Sequence, residues 1–585
     1  MARVCRVLPD LTAVDRAFDY TVPDELAARV RVGTIVRVPL HGRRVRGWVV
    51  DDGVAPETTE LLDVLGVVSA GPPADVVALA GWVARRWCGP RVAVLRSASA
   101  PNNVAVPAAP IPPPPGELAG LDHPGGGPVT QGGGRGGGRV VRQPPLLDRR
   151  AQVAAMCAAE GSTIVCVADA GRARTFASYL RTNHRAVVLL HSQEPDAART
   201  QAWARAARGD VIVVGGRIAA LAPVPDLRAA VVVDDADEAL QEERAPTWHA
   251  RDVLRERAAR AGARFTVCSP APTVESIVVA EQLDAPARAT EVAGWPRVVV
   301  VDRREEPPGA GLLTGPLANA LRNSAGLAVC VLNRRGRFRL LACAACRHLL
   351  RWDRADERPV VCPECGATKL RVLRAGVTRV GEELAALLPG ARVADVDAAT
   401  ADVPDADIVI GTEAVLHRGA VRRRRPTLVA YLDLDQELLA PRYRAAAQAH
   451  WLVTRGAQLL AARARSDTML LVQTRVPDHT VVQALVHGDP ARVAEAERAY
   501  RSTLAYPPFG ALAELSGDDP ALASTVDELR RLDVTAGGVQ VFGPAGGHAL
   551  VHAPDWDALA AALAPAVAVG RARGRVRAVV DPARV

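Results

Sequence analysis

The sequence predicts a multidomain α/β protein: a small β-rich N-terminal domain, two doubly wound α/β lobes, a four-cysteine ribbon inserted into the second lobe, and an α+β C-terminal domain. The chain has 585 residues, enough for roughly three to five domains. Through its middle, short β-branched strands alternate with alanine- and arginine-rich helices, which is typical of a parallel sheet covered by helices. Two C-x-x-C pairs stand close together in the second half. Length, alternation and cysteine spacing together favour several domains over one large core.

The charge and the apolar content of the chain limit its class. Lysine and arginine together number 72 against 64 aspartates and glutamates, a net charge of +8 that permits nucleic-acid binding. Lys369 is the only lysine, so the basic residues are almost all arginine, a bias that codon composition explains equally well. No run of about 18 apolar residues is free of charge or proline, and residues 1–20 lack the apolar core of a signal peptide. We therefore expect a cytoplasmic protein without a membrane span.

Residues 1–97 are predicted to form the β-rich N-terminal domain. The stretch VRVGTIVRVPLHGRRVRGWVVDDG alternates apolar and polar residues around glycine turns, the pattern of hairpins or a small barrel. Its loop clusters guanidinium groups, which suit the phosphates of a nucleic acid. The candidate phosphate-binding residues are Arg43, Arg44 and Arg46.

Residues 98–147 are predicted to be a linker. The stretch APAAPIPPPPG changes into PGGGPVTQGGGRGGGR, which has no periodicity and cannot bury a core. We expect the proline part to be a stiff spacer and the glycine-arginine part to be a flexible tether. Contact with nucleic acid is the alternative role for the glycine-arginine part.

Residues 148–290 are predicted to form the first α/β lobe. Five short β-branched segments end in polar residues and are separated by helical segments, which predicts a parallel, doubly wound sheet. In such a sheet, ligands bind at the carboxyl ends of the strands. The predicted strands lie in STIVCVADA, RAVVLLHS, DVIVVGG, AAVVVDD and ARFTVCS.

Residues 291–475 are predicted to form the second α/β lobe, with the ribbon at residues 340–370. Each cysteine pair puts two thiolates on one tight turn, and residues 347–361 are long enough for a hairpin that brings the turns together. Four thiolates make a closed, tetrahedral structural zinc site without an open position; two disulfides or four free cysteines are the alternatives. The predicted ligands of one zinc ion are Cys343, Cys346, Cys362 and Cys365.

Residues 476–585 are predicted to form the C-terminal domain. Two helical segments, Leu522 to Leu532 and Trp556 to Ala568, alternate with the strand-like segments VQVFGP, HALVHAP and VRAVVDP. This pattern suggests an α+β layer of the ferredoxin-like kind. By residue type the segment carries no catalytic constellation.

The order of several motifs gives the chain a family resemblance. The ribbon follows the strand LAVCVLN and the basic turn RRGR, and it precedes ADIVIGTEAVLHRGA, PTLVAYLDLDQELLAPRYRAAAQA and LAYPPFGALAEL. In this order the motifs resemble those of the primosomal replication-restart family PriA (primosomal protein N′). The resemblance spans residues 1–585 apart from a winged-helix module. It implies that the two lobes are helicase-like and that one zinc ion remains where the family usually holds two.

The resemblance also implies a role for Phe18, Asp19 and Tyr20. By residue type alone, the segment RAFDYTVPDEL reads as a core aromatic residue beside a surface acid. In the family, an F-D-Y element lines a pocket for the 3′ end of a nascent strand. There a base stacks on an aromatic ring while the carboxylate accepts from the terminal 3′-hydroxyl. We therefore predict that these three residues bind a DNA 3′ end.

The nucleotide motifs of the family are altered in this chain. A phosphate loop needs glycines, a lysine and a serine or threonine. In its place, residues 140–150 read VVRQPPLLDRR, and adjacent prolines remove two N–H donors. The acidic motif D-E-E-H becomes D-D-A-D at residues 234–237, S-A-T-P becomes SPAP, and the candidate arginine fingers Arg463 and Arg465 lack their glycines. ATP and magnesium are therefore not expected, and we predict no catalytic or nucleotide-binding residue.

These observations predict a replication-restart protein that binds stalled or abandoned forks and promotes reloading of the replicative helicase without unwinding DNA. The implied partners are forked or single-stranded DNA, other primosome proteins, the single-stranded DNA-binding protein and the replicative helicase, at the nucleoid. Whether the protein is an enzyme stays open, because an active ATP-dependent 3′–5′ DNA helicase with an atypical phosphate site is the alternative. A third hypothesis is a zinc-ribbon interaction module on a vestigial scaffold without fork specificity.

Overall fold

The computed structural model confirms the predicted class, a multidomain α/β protein with a small N-terminal β domain and two parallel sheets. None of the helices in the described ranges has the length and hydropathy that a membrane crossing requires. The basic turn at residues 334–337, Lys369 and Arg463 lie outside the described residues. The structure describes residues 3–11, 14–58, 60–107, 138–183, 186–307, 311–333, 338–343, 345–346, 348–351, 361–368, 370–375, 377–396, 400, 403–461, 464–536 and 538–585.

The N-terminal domain is a six-stranded sheet with two helices on one face. Its elements are β1 (Val4–Pro9), β2 (Phe18–Thr21), β3 (Ile35–Leu40), β4 (Arg43–Asp52), β5 (Leu62–Asp63), β6 (Gly66–Ser69), α1 (Ala74–Arg86) and α2 (Arg91–Ala98). The strand order is β5-β2-β1-β4-β3-β6, and the neighbours are antiparallel except for β2 and β5. Strand alternation gives the sheet two faces. Val7, Val36 and Val49 form the core on one face, whereas Ile35 and Trp48 belong to the core shared with α1 and α2.

The first lobe is a seven-stranded parallel sheet. Its strands are β7 (Gly138–Arg142), β8 (Ser162–Val167), β9 (Val187–Leu190), β10 (Ile212–Gly215), β11 (Leu227–Val233), β12 (Arg264–Ser269) and β13 (Ala280–Asp284). Its helices are α3 (Arg150–Met156), α4 (Ala170–Asn183), α5 (Asp196–Ala206), α6 (Ala250–Ala261), α7 (Val274–Val279) and α8 (Arg288–Ala293). The strand order is β13-β7-β12-β11-β8-β10-β9, and all five predicted strands are present. β8 and β10 are buried along their whole length, as expected for β-branched strands covered on both faces.

The structure corrects the predicted linker at residues 98–147. The strand Gly138–Arg142 lies within that range and takes a place in the lobe 1 sheet between β12 and β13. Its apolar residues are too few to show a period, which is why the sequence concealed it. At the N-terminal end of the predicted linker, the Val104 N–H donates to the Ser69 hydroxyl at 2.9 Å. The Val104 carbonyl accepts from the Ala70 N–H at 2.8 Å. That part of the predicted linker therefore packs back onto the N-terminal domain.

The second lobe is a six-stranded parallel sheet that carries the ribbon as a separate three-stranded antiparallel sheet. The lobe contains β14 (Arg297–Asp302), β15 (Ala328–Val331), β19 (Val393–Val396), β20 (Ile408–Gly411), β21 (Leu428–Tyr431) and β22 (Met469–Thr474), in the order β14-β22-β21-β15-β20-β19. The ribbon contains β16 (Phe338–Cys343), β17 (Leu349–Arg351) and β18 (Leu370–Ala375). The helices are α9 (Gly315–Arg322), α10 (Val377–Leu387), α11 (Gly419–Arg423), α12 (Asp435–Leu438) and α13 (Ala445–Leu459).

The predicted C-terminal domain begins later than residue 476. Two helices that follow that point, α14 (Thr480–His487) and α15 (Ala491–Thr503), place Val481, Leu485 and Val493 in the lobe 2 core. The remaining elements are β23 (Ala511–Gly517), α16 (Asp519–Ala536), β24 (Gln540–Ala545), β25 (His548–Ala553), α17 (Trp556–Arg571) and β26 (Val576–Val580). Their strand order, β24-β25-β23-β26, gives the ferredoxin-like layer that the sequence predicts.

One apolar core joins three of these units. It includes Trp87 of α1, Trp248 of lobe 1 and Leu563 of α17. Short 3₁₀ helices complete the described elements, at Asp24–Leu26, Arg217–Leu221, Glu238–Leu240, Glu413–His417 and Arg465–Asp467. Because α1 packs on both α6 and α17, the N-terminal sheet is held in a fixed position on lobe 1.

Candidate interlobe cleft, zinc centre and nucleic-acid surface

The loop after β7 stands where a phosphate loop would lie. β7 is flanked by β12 and β13, and its carboxyl end meets the ends of the strands that carry the altered acidic motif. The amides of residues 143–147 are already used, because Pro144 and Pro145 have no N–H and the other three donate to carbonyl oxygens. These donations run from Gln143 to Ser269 (3.2 Å), from Leu146 to Gly294 (3.0 Å) and from Leu147 to Pro144 (3.2 Å). The loop therefore has no amide at these positions with which to bind a phosphate.

The same loop is packed against the chain that enters lobe 2. The side chain of Leu146 lies against the lobe 2 core. A Cβ on Gly294 would come within 2.3 Å of the Pro144 Cβ, which shows how closely the two segments approach. Before the loop, the Arg142 guanidinium lies 2.5 Å from the Glu291 carboxylate, whose side chain is 3% exposed. The loop thus serves as a packed contact between the lobes.

Asp234, the first acid of the altered motif, is surrounded by the chain's own donors. Arg149 donates from Nη1 to Oδ1 at 2.5 Å and from Nη2 to Oδ2 at 3.3 Å. Nη1 of Arg172 lies 2.5 Å from Oδ2, and Gln458 of lobe 2 donates to Oδ1 at 3.2 Å. Burial alone would raise the pKa of Asp234, but Arg149 and Arg172 outweigh it and hold that pKa well below its ordinary value. Two arginines therefore neutralise the acid that would face magnesium in a nucleotide site.

The second acid of the motif, Asp235, has a structural role in this chain. Its Oδ2 accepts from the Thr273 N–H at 3.0 Å, from the Thr273 hydroxyl at 2.5 Å and from the Ser276 hydroxyl at 2.5 Å. Thr273 is the N-cap of α7, so the carboxylate fixes the start of that helix. Burial raises the pKa of Asp235 above its ordinary value. The side chain is thereby committed to the turn that begins at the SPAP segment.

Ion pairs also join the two lobes beside the cleft. Arg455 on α13 of lobe 2 places its Nη2 3.3 Å from the Asp169 carboxylate of lobe 1. Arg422 on α11 places its Nη1 3.5 Å from the same carboxylate. Arg465, a candidate arginine finger, donates from Nε to the Trp295 carbonyl at 2.8 Å. Arg465 is therefore engaged by the backbone between the lobes.

Residues 580–585 contact both lobes. Gln448 of lobe 2 donates to the Ala583 carbonyl at 2.7 Å. Nη2 of Arg584 lies 2.9 Å from Glu238 of lobe 1 and 3.5 Å from Glu413 of lobe 2. This segment therefore links both lobes.

The four predicted zinc ligands lie together. Their Sγ atoms all fall within 4.8 Å of one another, with Cys343 3.4 Å from Cys365 and Cys346 3.6 Å from Cys362. A tetrahedron with Zn–S bonds of about 2.3 Å needs sulfur separations of about 3.8 Å, so the geometry fits. The Ala345 N–H donates to the Cys343 Sγ at 3.3 Å, a contact that favours a thiolate. The cluster could therefore hold a metal ion such as zinc, which would cross-link the two turns of the ribbon.

The aromatic rings of the F-D-Y segment lie on the inner face of β2. Tyr20 is 3% exposed, and its hydroxyl donates to the Pro39 carbonyl at 3.0 Å. Phe18 is half-buried against the same core, with the Arg16 guanidinium 5.7 Å from the centre of its ring. Of the two rings, Phe18 is therefore the one near the surface. The predicted contacts of both rings with a DNA 3′ end stay predictions.

The carboxylate of the segment, Asp19, points to the opposite face of β2 by strand alternation. Arg6 donates to it from Nε at 2.8 Å and from Nη2 at 3.3 Å, and the Glu57 N–H donates at 2.9 Å. The hydrogen bond from Arg6 lowers the pKa of Asp19 below its ordinary value. The carboxylate is therefore ionised and oriented, and any contact with a 3′-hydroxyl would share it with Arg6.

The three predicted phosphate-binding arginines are exposed on the β3–β4 hairpin. The hairpin turns through His41 and Gly42, whose φ angles of 48° and 74° are those of a two-residue turn. Alternation along β4 puts Arg44 and Arg46 on one face and Arg43 on the other. The sequence grouping of the three is therefore split by the strand.

Sequence reasoning missed a fourth arginine of this hairpin. Arg37 on β3 pairs directly with Arg46 across the antiparallel ladder and is also exposed. The sequence signal was its even spacing from Ile35 and Pro39 along β3, which puts the three residues on one face of the strand. Arg149 and Arg172 were missed as well, because the carboxylate that they share is distant in sequence.

Comparisons with known proteins show which family this chain resembles. Residues 6–100 match the family described as the 3′DNA-binding domain (3′BD) of PriA. The chain is 32% identical over 593 residues to the "Probable replication restart protein PriA" of Mycobacterium leprae, covering 89% of this chain and 88% of that protein. The chain belongs to the replication restart protein PriA family. The PriA relative from Mycobacterium tuberculosis (strain CDC 1551 / Oshkosh) is 30% identical over 599 residues, covering 91% of this chain and 89% of that protein.

More distant PriA proteins match a smaller part of the chain. The "Replication restart protein PriA" of Bacillus subtilis is 27% identical over 389 residues, covering 58% of this chain and 48% of its own. Among solved structures, a DEAD box protein from Methanococcus jannaschii has a TM-score of 0.29 at 12% identity, covering 62% of this chain and 86% of that one. Because residues 6–100 match the 3′DNA-binding domain of PriA, the N-terminal sheet of this PriA family member is a DNA-binding domain by family.

Proposed function

We propose that this protein recognises DNA replication forks through the 3′ end of a nascent strand and acts in replication restart as a scaffold rather than as an ATP-driven motor. The observation that carries the proposal is the loop after β7, whose amides at residues 143–147 are donated internally or missing. A phosphate cradle depends on free, converging N–H groups, so the closed loop removes the means of holding a nucleotide. The neutralised Asp234 supports the same conclusion, because a carboxylate paired with two arginines cannot also coordinate magnesium.

The N-terminal domain is proposed to bind the end of the nascent strand. Phe18, half-buried at the rim of β2, offers a ring on which the terminal base stacks. Asp19 accepts from the 3′-hydroxyl, and Arg6 keeps the carboxylate ionised so that it can act only as an acceptor. Tyr20 positions β2 from the core, through its hydrogen bond to Pro39. A continuous strand has no 3′-hydroxyl to donate, so this contact selects ends.

The basic hairpin is proposed to hold the phosphates that lead to the end. Arg44 and Arg46 share an exposed face, and Arg43 faces the other side of the turn. A guanidinium group can bind two oxygens of one phosphate at once. Such contacts carry no information about base sequence, as the recognition of forks requires. We therefore assign to these arginines affinity rather than specificity.

The remaining surfaces are proposed to contact proteins of the restart pathway. The ribbon, with zinc bound by its four cysteines, forms a small rigid unit attached to lobe 2. Its partners would be other primosome proteins, the single-stranded DNA-binding protein and the replicative helicase that is reloaded, and the protein would work at the nucleoid. An active ATP-dependent 3′–5′ helicase is the second candidate, and it requires the β7 loop to leave its packing on lobe 2 and Asp234 to lose its arginines.

The proposal is tested by comparing the affinity of the purified protein for four matched DNA substrates. These are a fork whose nascent strand ends in a 3′-hydroxyl at the junction, the same fork with a 3′-phosphate, a fork without a nascent strand, and a plain duplex. We expect the tightest binding to the 3′-hydroxyl fork. Asp19→Asn should reduce the difference between the 3′-hydroxyl and the 3′-phosphate forks.

Arg6→Gln is the matched control for the ion pair. It leaves the Asp19 carboxylate in place and removes the ion pairs of Arg6 with Asp19 and with Glu57, so it should retain most of the preference for a 3′-hydroxyl. Equal affinity of the native protein for all four substrates would contradict the proposal. Equal loss of preference in Asp19→Asn and Arg6→Gln would assign Asp19 a structural role instead.

A further inference from the structure

Two arginines of the β3–β4 hairpin are forced to face each other. The register of the hairpin pairs Arg37 with Arg46, and the two-residue turn at His41 and Gly42 fixes that register. Directly opposed residues of an antiparallel pair have Cβ atoms about 4.5–5.5 Å apart, and like charges at that spacing are destabilising. Both side chains are exposed, and by strand alternation they share the face of Ile35 and Trp48. The hairpin therefore holds two positive charges together at a cost to its own stability.

Within the described residues, no ion pair relieves this cost. Three other arginines of the same domain are paired with acids: Arg3 with Asp52, Arg6 with Asp19 and Arg96 with Asp10. No carboxylate oxygen in the described ranges lies within 4.0 Å of Arg37, Arg44 or Arg46. The repulsion between Arg37 and Arg46 is therefore not offset by an ion pair of either side chain.

The geometry extends beyond the pair itself. Arg44 lies two residues from Arg46 on the same strand and therefore points to the same face, beside the pair. Ile35 and Trp48 lie on the same face and belong to the core shared with α1 and α2. Three exposed arginines are therefore neighbours on one face at the hairpin end, and within the described residues none of them has a carboxylate oxygen within 4.0 Å.

We propose that Arg37 and Arg46 form a phosphate-binding pair that clamps the DNA backbone, with Arg44 binding the adjacent phosphate. This inference rests on the proposed function and deepens it by adding Arg37, which pairs its charge with Arg46 across the ladder. A phosphate between two guanidinium groups turns their repulsion into two charge-assisted contacts. The repulsion that destabilises the hairpin without DNA is relieved when a phosphate binds between the two guanidinium groups. The pair reads the backbone and is indifferent to the base sequence.

The test uses the full-length variants Arg37→Gln, Arg46→Gln and the double variant, with Arg29→Gln as a control. Arg29 is an exposed arginine of the same domain outside the hairpin, so its removal changes the net charge equally. DNA affinity is measured by fluorescence anisotropy on the fork with a 3′-hydroxyl at several salt concentrations. Thermal unfolding of each variant without DNA is measured at low salt.

The two measurements are expected to move in opposite directions. Each hairpin variant should bind the fork several-fold more weakly, and the slope of log affinity against log salt should fall by about 1 for each arginine removed. The same variants should unfold at an equal or higher temperature than the native protein, because the opposed charges are relieved. Arg29→Gln should change neither the affinity nor the slope beyond a small effect of net charge.

Three outcomes would overturn the inference. One is unchanged fork affinity and salt slope in Arg37→Gln and Arg46→Gln, and another is an equal effect in Arg29→Gln. The third is a fall in both affinity and unfolding temperature, which would make the pair structural. If the native protein shows no preference for a 3′ end but the hairpin variants still reduce the salt slope, the proposed fork recognition fails while the phosphate pair stands.

Discussion

Arg149 and Asp234 face each other at the place where a nucleotide would bind, joined by two hydrogen bonds of 2.5 and 3.3 Å. Arg149 follows the loop after β7, and Asp234 comes directly after β11, so the pair ties together two segments that would have to separate for a nucleotide to bind. A magnesium nucleotide requires a free carboxylate and a free loop. In this protein the Asp234 carboxylate is paired with Arg149, the residue that follows the loop. Arg172 adds a second positive charge beside the same carboxylate.

Substitution of Asp234 should therefore destabilise the protein rather than merely remove an activity. Asp234→Asn leaves Arg149 and Arg172 buried without their counter-charge, a loss of about 3–5 kcal/mol. We expect the midpoint of urea unfolding, followed by circular dichroism, to fall markedly. Asp302→Asn is the control, because Asp302 forms an exposed pair with Arg304 at 2.7 Å. A stable Asp234→Asn protein would contradict the assignment of this carboxylate to the internal network.

The interlobe ion pairs should make stability depend on pH in the acid range. Burial would raise the pKa of Glu275, but Arg444, at 2.6 Å, and Arg501, at 3.1 Å, lower it from 4.5 to about 2. Because the folded pKa is the lower one, the stabilisation is fully present above about pH 4.5 and is lost as the pH falls toward 2. Unfolding midpoints measured between pH 7 and pH 2 should show this loss.

Glu275→Gln should remove that acid-dependent part of the stability. The variant is expected to be less stable than the native protein at pH 7, and the difference should shrink as the pH falls. Glu528→Gln is the control, since Glu528 pairs with Arg531 on the surface at 2.6 Å. Parallel curves for the native protein and Glu275→Gln over the whole range would contradict the role of Glu275.

The cysteine cluster should hold one zinc ion per chain. Metal analysis of the purified protein is expected to find about one equivalent, and Cys343→Ser should reduce it to near zero because a structural site needs all four thiolates. Cys88→Ser is the control, because Cys88 lies far from the cluster in sequence and is half-buried between α1 and α17. A full equivalent of zinc in Cys343→Ser would contradict the four-cysteine site.

The sequence was sufficient for features that local patterns encode. The β-branched strands of lobe 1 and the ferredoxin-like layer follow from periodicity, and the structure has them. The cysteine spacing predicts that the four thiols lie together, as they do, while their binding of zinc stays a prediction. The sequence also predicts the loss of the phosphate loop, because Pro144 and Pro145 lack N–H groups whatever their surroundings, and that loss stays a prediction.

The rest depends on contacts between residues that are distant in sequence. That Arg149 and Arg172 share Asp234, and that Arg37 opposes Arg46, is decided by strand order and register rather than by composition. The boundaries at β7 and at α14 were missed for a related reason. Short apolar segments carry too little periodicity to reveal which sheet or core they join.

The most direct test of the account is ATP hydrolysis by the full-length protein with and without a fork that carries a 3′-hydroxyl, with fork affinity measured on the same sample. We expect no ATP hydrolysis above that of a heat-denatured blank, with or without the fork, while the protein binds the fork tightly. Arg142→Ala, which removes the ion pair with Glu291, should likewise show no turnover. Fork-stimulated hydrolysis that is lost in Arg149→Ala would contradict the account, because it would require the β7 loop to open and hold a nucleotide.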